Sequence, residues 1–201
     1  WEEAGHGGRP RYDPPEMLTS DLAPLVLALA QWGSTDPAEL AWLDPPPSAS
    51  VGAARETLSA LAALDADGRI TERGRKLAQL PLDPQGAATV LFGAEHGAAD
   101  QAARIALLLQ ERGLGGRGED LEARLSRWNS DRGARAEASR KLAGRWAKRA
   151  RALAENQRST TPPPPGILLA AGRPEFIAKR RDKSGENWVA AGGRGFVLDT
   201  A

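Results

Sequence analysis

The most informative part of this 201-residue sequence is residues 64–84, which read LDADGRITERGRKLAQLPLDP. The pair Asp67-Gly68 is typical of a tight turn, because glycine adopts the left-handed backbone conformation that many turns require. The residues Arg69-Ile70-Thr71 then predict a short extended piece, and Thr71 can cap a helix that ends before Pro81. This stretch therefore predicts a turn, a short strand and a helix in close succession.

Two further helices are predicted upstream of this stretch. The first begins near Asp21, with Ser20 or Asp21 as its N-cap, because apolar residues follow at three- and four-residue spacing. The second follows a proline-rich loop, has Ser48 or Ser50 as its N-cap, and places one apolar stripe at Val51, Ala54, Leu58, Leu61 and Leu64. Two helices, a turn, a short strand and a third helix are the plan of a winged-helix module, which we predict at residues 19–83.

The block from 84 to 155 contains no strand signal and predicts a helical bundle. Its helices are expected at about 85–97, 99–112, 119–129 and 133–155. The second of these is apolar nearly all round, so it should be the central helix; its apolar residues are Ile105, Leu107, Leu108 and Leu109. Aromatic residues make up only 5% of the chain, so Ala and Leu supply most of the apolar mass, which favours a mainly α fold.

Three further segments complete the predicted organisation. Residues 1–18 are polar and rich in Gly and Pro, and predict a connector. Residues 156–165 include four consecutive prolines and predict a stiff linker. Residues 166–201 predict a short helical piece and a hairpin-like β segment around Ser184-Gly185. Because the chain starts at Trp1 and stops inside an extended segment, we expect a piece of a longer protein with a truncated β-containing C-terminal domain.

Composition limits the possible partners. The formal net charge is only +1, and no stretch reaches the roughly 18 to 20 apolar residues of a membrane span. The N-terminus lacks a signal-peptide pattern, and cysteine is absent, which excludes disulfides and thiolate metal sites. These features predict a cytoplasmic protein without a membrane partner.

The sequence carries no recognisable catalytic constellation. No GxxxxGK[ST] segment occurs, and the glycine-rich residues 113–118 lack the lysine-hydroxyl pair that would hold nucleotide phosphates. The two histidines, His6 and His96, lie in a connector and near a helix end, where surface positions explain them. We therefore predict no catalytic, cofactor-binding or metal-binding residue in this chain.

The helix predicted at 133–155 is the one feature whose residues indicate a class of ligand. On a helical wheel its apolar residues fall within one arc, and the basic residues cover the remainder. A cationic face on a rigid helix can neutralise phosphates and release counterions, so it predicts a nucleic-acid track. The candidate contacts are Arg140, Lys141, Arg145, Lys148 and Arg149. The alternative is a solvated helix surface, since Lys and Arg are good helix formers.

A second basic cluster borders the β segment. The candidate contacts are Lys179, Arg180 and Arg181, and the aromatic residues Phe176 and Trp188 are close by in the sequence. Aromatic residues beside basic ones on a small sheet can stack nucleobases. The alternative, which the pattern alone slightly favours, is a charged edge strand that discourages aggregation.

Several motifs together resemble one helicase family. They are WEEAGH at the start, the loop WLDPPP at 42–47, the run LDADGRIT followed by LPLDP at 80–84, and PEFIAKRR at 174–181 with GGRG at 192–195. In this order and spacing, they are similar to the C-terminal half of HrpB-type DEAH-box RNA helicases. The resemblance covers nearly the whole chain.

The resemblance implies a specific role. In such helicases two RecA-like motor lobes bind ATP and Mg²⁺, while winged-helix and ratchet domains close over single-stranded RNA that moves in the 3′→5′ direction. Every ATP-site residue would lie upstream of Trp1, so the parent would be the ATP-dependent enzyme and this part inactive by itself. Block 84–155 would be the ratchet domain. Two alternatives stay open, a stand-alone winged-helix nucleic-acid-binding protein and a scaffold whose basic helix faces solvent.

Overall fold

A computed structural model describes Tyr12 and residues 15–155 and 161–198. Within these residues the chain forms eight α-helices and one three-stranded sheet, so the predicted mainly α fold with a small C-terminal β segment is confirmed. The helices are α1 (Ala23–Trp32), α2 (Ser48–Ala60), α3 (Glu72–Ala78), α4 (Pro84–Glu95), α5 (Ala99–Gln110), α6 (Leu121–Ser130), α7 (Ala134–Leu153) and α8 (Pro165–Gly172). The strands are β1 (Ala178–Arg180), β2 (Asn187–Ala190) and β3 (Gly195–Val197). Most of the predicted N-terminal connector and half of the proline-rich linker lie outside the described residues.

The first two helices begin differently from the prediction. At α1 the N-cap is Leu22, although the Asp21 carboxylate still accepts a hydrogen bond from the Ala23 amide at 2.9 Å. At α2 the N-cap is Pro47, whose extended backbone leads straight into Ser48 as the first helical residue. The predicted serine cap at α2 is therefore wrong, because Ser48 and Ser50 are already inside the helix.

The turn at 64–71 forms as predicted, but its strand shrinks to one bridge. The Asp65 carboxylate accepts hydrogen bonds from the Asp67 and Arg69 amides at 3.0 and 2.8 Å, which closes the turn. Only Leu64 and Ile70 pair as an isolated antiparallel bridge. Thr71 caps α3 as predicted, since its hydroxyl accepts from the Gly74 amide at 2.9 Å.

The bundle is organised around α5, which packs against α4, α6, α7 and α8. Ile105, Leu107 and Leu108 are at most 1% exposed, in agreement with a central position. Leu109 is 42% exposed, so its predicted burial is wrong. It lies in the last turn of α5, where one side of the helix is no longer covered by neighbours.

Helix α8 lies against α4 and α5, and its Leu168 is fully buried in the same core as the bundle. Gly172 lies so close to α4 that a Cβ atom there would overlap the Gln85 carbonyl oxygen and the Thr89 hydroxyl. The hydrophobic core therefore continues past the proline-rich segment. The domain limits derived from sequence stay a prediction.

The sheet is an antiparallel meander with strand order β1-β2-β3. Strands β2 and β3 are joined by a turn in which the Gly193 amide donates to the Ala190 carbonyl at 2.8 Å. Gly193 has a φ of 81°, a backbone conformation that favours glycine. None of the helices in the described ranges combines the length and the apolar character needed to cross a bilayer.

Candidate nucleic-acid interface

Helix α7 has 20 residues and presents one apolar side to α4 and α5. At about 1.5 Å per residue it is about 30 Å long. Its buried residues are Ala136, Ala143, Trp146, Ala147 and Ala150; the last four belong to the predicted arc, and Ala136 extends it by about two turns. Leu142, Leu153 and Ala154 are half-buried at its margins. This apolar side fixes the opposite, cationic side as a rigid surface.

Arg145 and Lys148 are the two cations of α7 that have no partner among the described residues. Both side chains are exposed, and within the described residues neither takes part in an ion pair or a side-chain hydrogen bond. They are three residues apart, so they lie on the same side of the helix, about 4.5 Å apart along its axis. Such a pair can meet an anionic ligand without breaking an existing contact.

Lys141 lies one turn before Arg145 and is engaged only weakly. Its ammonium group is 2.8 Å from the Glu137 carboxylate in an exposed i,i+4 pair. The hydrogen bond from Lys141 and its positive charge hold the pKa of Glu137 below its ordinary value. Exposed pairs of this kind add little stability, so Lys141 can exchange Glu137 for a phosphate at small cost.

Arg140 and Arg149, by contrast, hold parts of the protein together. Arg140 is half-buried, and its Nη1 donates to the Trp128 carbonyl at the end of α6 over 2.7 Å. Arg149 donates through Nε to the carbonyl of Gln79, the residue after α3. The structure thus separates the five predicted residues of α7 into two free cations, one weakly paired cation and two structural ones.

Gly144 is a feature of this surface that the sequence pattern did not single out. It lies in the middle of α7 between Lys141, Arg145 and Lys148, and a Cβ atom built there would meet nothing within 4 Å beyond its chain neighbours and the backbone of its own helix. Close packing inside the chain therefore does not require glycine at this position, although glycine costs a helix about 1 kcal/mol relative to alanine. A glycine beside free cations leaves the helix backbone open to a ligand.

The second predicted cluster lies on β1 and just after it. Lys179, Arg180 and Arg181 are exposed, and their side chains make no ion pair or hydrogen bond in the part of the chain that the structure describes. The strand register places Arg180 beside Trp188, and Trp188 beside Phe196. The sheet therefore brings one of the predicted cations, Arg180, next to aromatic rings, whereas Lys179 is opposite Val189 on the other face.

Contacts between the first three helices and the bundle complete the geometry. The Arg73 guanidinium of α3 is 3.4 Å from the largely buried Glu95 carboxylate of α4. The Lys76 ammonium of α3 is 2.8 Å from the carboxylate of Glu155, just beyond α7. Together with the bond from Arg149 to Gln79, these contacts connect both ends of α3 to the bundle.

Comparison with known proteins identifies relatives of the chain. The family model of the helicase associated domain (HA2), winged-helix, matches residues 54–82. ATP-dependent RNA helicase HrpB of Escherichia coli strain K12 is 36% identical over 185 residues, which are 92% of this chain and 21% of the relative. The human protein named Probable ATP-dependent RNA helicase DHX35 is 36% identical over 102 residues, or 50% of this chain and 14% of that protein.

A solved structure gives the same result. The crystal structure of Escherichia coli DEAH/RHA helicase HrpB matches with a TM-score of 0.74 and 31% sequence identity, covering 100% of this chain and 24% of that one. The chain thus spans less than a quarter of the length of each of these three relatives. The resemblance inferred from the motifs is confirmed: in sequence and in structure, this chain is similar to the C-terminal region of HrpB-type helicases.

Proposed function

We propose that this chain is an accessory region of an ATP-dependent RNA helicase and that it grips single-stranded RNA along α7. The observation that carries the proposal is the pair of free cations, Arg145 and Lys148, on a helix whose other side is locked into the core. Lys141 extends this pair by one turn. Three cations in a line along one side of a helix can neutralise successive phosphates of one strand.

The contacts of α3 support a coupling role. Because Lys76, Arg73 and Arg149 join α3 to α4 and to the end of α7, a displacement of the winged-helix part is passed to the RNA-facing helix. The motor lobes of the same polypeptide would bind ATP and Mg²⁺ and supply that displacement. This chain contributes no catalytic residue to the reaction, and we place the parent protein in the cytoplasm.

The alternative of a stand-alone winged-helix nucleic-acid-binding protein is less well supported. In that case α3 would enter the major groove of a duplex and needs free cations to do so. Arg73 and Lys76 are already engaged with Glu95 and Glu155, which leaves only Arg75 and its distant neighbour Glu72.

The test is the affinity of the 201-residue chain for a fluorescein-labelled 12-nucleotide single-stranded RNA, measured by anisotropy over a range of salt concentrations. We expect the double variant Arg145→Glu/Lys148→Glu to bind at least tenfold more weakly. Its log–log salt dependence should flatten by about 1.4, since each lost phosphate contact removes about 0.7 for a single strand.

The matched control is Arg112→Glu/Arg132→Glu, which makes the same change of charge at two exposed arginines outside α7. This control should lose less than half as much binding free energy. If both double variants weaken binding equally, or if neither does, α7 is a solvated surface and the proposed grip is wrong.

A further inference from the structure

A groove on the three-stranded sheet lies apart from the cationic side of α7. It has a volume of about 480 Å³ and is lined by Glu119, Phe176, Ala178, Trp188, Phe196, Val197 and Leu198. Ligand pockets usually have volumes of about 300 to 1,000 Å³. Phe176 is 48% exposed, although it is aromatic and lies beside other aromatic rings.

The aromatic rings of the groove form one arrangement. The ring centroids of Phe176 and Phe196 are 6.1 Å apart, with an angle of 48° between the ring planes. Trp188 is the register neighbour of Phe196 on the adjacent strand, and its indole nitrogen donates to the Gly185 carbonyl at 2.8 Å. This bond fixes the orientation of the indole ring, so the groove is pre-formed.

Two arginines lie beside these rings. Arg180 is the register neighbour of Trp188, and the Arg194 guanidinium carbon is 5.7 Å from the Phe196 ring centroid. Residues 173–198 contain six basic side chains and three acidic ones. Of the acidic side chains, Asp182 is already occupied, because it accepts hydrogen bonds from Ser184 and from Asn187. The surface therefore combines flat apolar rings with unneutralised positive charge.

Protection of an edge strand does not explain this arrangement. Charged residues on β1 would by themselves discourage pairing with another chain. An open groove of three aromatic rings would have the opposite effect, because exposed apolar surface promotes association. Arg194 moreover lies in the turn between β2 and β3, away from the edge strand β1.

We infer that this groove is a stacking site for bases of single-stranded RNA, separate from the phosphate grip on α7. The inference takes the class of its ligand from the proposed function. A base is flat and uncharged, which fits the rings of Phe176, Trp188 and Phe196, while its flanking phosphates meet Arg180 and Arg194. The carboxylate of Glu119 at the groove disfavours a phosphate there, so the base and not the backbone enters.

The experiment compares two labelled probes on the same protein, a 12-nucleotide oligouridylate and an abasic strand of equal length. The variant is Phe176→Leu/Phe196→Leu, which keeps the groove apolar but removes two stacking surfaces. We expect this variant to bind oligouridylate at least about fivefold more weakly, because one stacked base contributes at least this much. Its affinity for the abasic strand should change by less than twofold.

The control variant Phe92→Leu removes an aromatic ring on α4, outside the groove, and should leave both affinities unchanged. Equal losses on the two probes, or no loss on oligouridylate, would overturn the inference. A groove that accepts an apolar protein segment would give the latter result.

A second measurement does not depend on a variant that folds correctly. An oligonucleotide with 5-iodouridine, irradiated with the unaltered chain, should form crosslinks to Trp188, Phe196 or Phe176, identified by mass spectrometry. Crosslinks restricted to other elements would contradict the inference. The two proposals can fail separately: an inactive groove leaves the effect of Arg145→Glu/Lys148→Glu intact, whereas an inactive α7 leaves the difference between the two probes intact.

Discussion

Helix α7 and the three-stranded sheet both carry clustered basic residues, but they present them in different surroundings. On α7 the cations stand on a helix whose other side is buried, and their immediate neighbours are small residues such as Gly144. On the sheet two cations, Arg180 and Arg194, stand beside aromatic rings that are themselves partly exposed. The first surface suits the charged backbone of a nucleic acid, and the second suits its bases.

The comparison also shows why a count of charges is a poor guide to binding. Arg140, Arg145 and Arg149 lie on one helix and look equivalent in the sequence. Two of them hold the Trp128 and Gln79 carbonyls, so only Arg145 remains available. On the sheet, by contrast, Lys179, Arg180 and Arg181 all remain without a side-chain partner in the described residues.

The largest expected effect is on stability, and it tests how strongly each of the two surfaces is packed against the rest of the protein. Trp146 is 6% exposed in the core beneath α7, whereas Trp188 is half-buried on the sheet. We expect Trp146→Ala to lower the free energy of unfolding by about 3 to 5 kcal/mol. Trp188→Ala should lower it by clearly less, since it removes fewer buried contacts. Urea denaturation followed by circular dichroism measures both values, and similar losses would show that the sheet is as firmly anchored as the helix.

A smaller effect tests whether a ligand approaches α7 at Gly144. Gly144 and Gly52 both lie inside helices, and a Cβ atom at either position would have open space around it. Alanine at either position should therefore stabilise the protein by about 0.5 to 1 kcal/mol. Only Gly144→Ala should weaken RNA binding, because its methyl group would occupy the space beside Arg145.

These two glycine variants are matched in chemistry and differ only in location. Thermal unfolding checks the stability gain, and anisotropy with the 12-nucleotide RNA checks the binding. If Gly144→Ala binds RNA as well as Gly52→Ala does, the strand does not touch the helix backbone and the grip is limited to the long side chains.

The smallest expected effect is the loss of a stabilising carboxylate in the sheet at low pH. Hydrogen bonds from Ser184 and Asn187 hold the pKa of Asp182 below its ordinary value of 3.8. Its contribution to the turn between β1 and β2 is therefore present above about pH 4 and is lost as the pH falls below that value. The indole NMR signal of Trp188 should shift in this range. Signals of Trp146 under α7 should not move with it, and a joint shift would contradict separate behaviour of the two surfaces.

The helices of this chain could be predicted from its sequence because their signals are local. Thr71 caps α3 as expected, and most of the apolar arc of α7 is buried. Local sequence patterns are less reliable where contacts with other helices decide whether a side chain is buried. Leu109 is exposed because the surrounding helices do not cover the end of α5.

The candidate site could be predicted only in part. The wheel placed Arg140 and Arg149 on the polar side of α7, but their partners lie 12 and 70 residues away in sequence. No local pattern carries that information. The row from Arg180 through Trp188 to Phe196 depends on the register of two strand pairs, which the connections at 181–186 and 191–194 set and which the sequence pattern does not fix.

The close approach of α8 to α4 at Gly172 has a consequence for genetic variation. Every missense change of a glycine codon adds at least a Cβ atom, and at this position that atom would overlap the Gln85 carbonyl and the Thr89 hydroxyl. In a saturation mutagenesis library selected for folded protein, codon 172 should therefore be depleted of all substitutions. Codons 52 and 144 of the same library should tolerate alanine, so the difference between these three helical glycines reports the contact between α8 and α4.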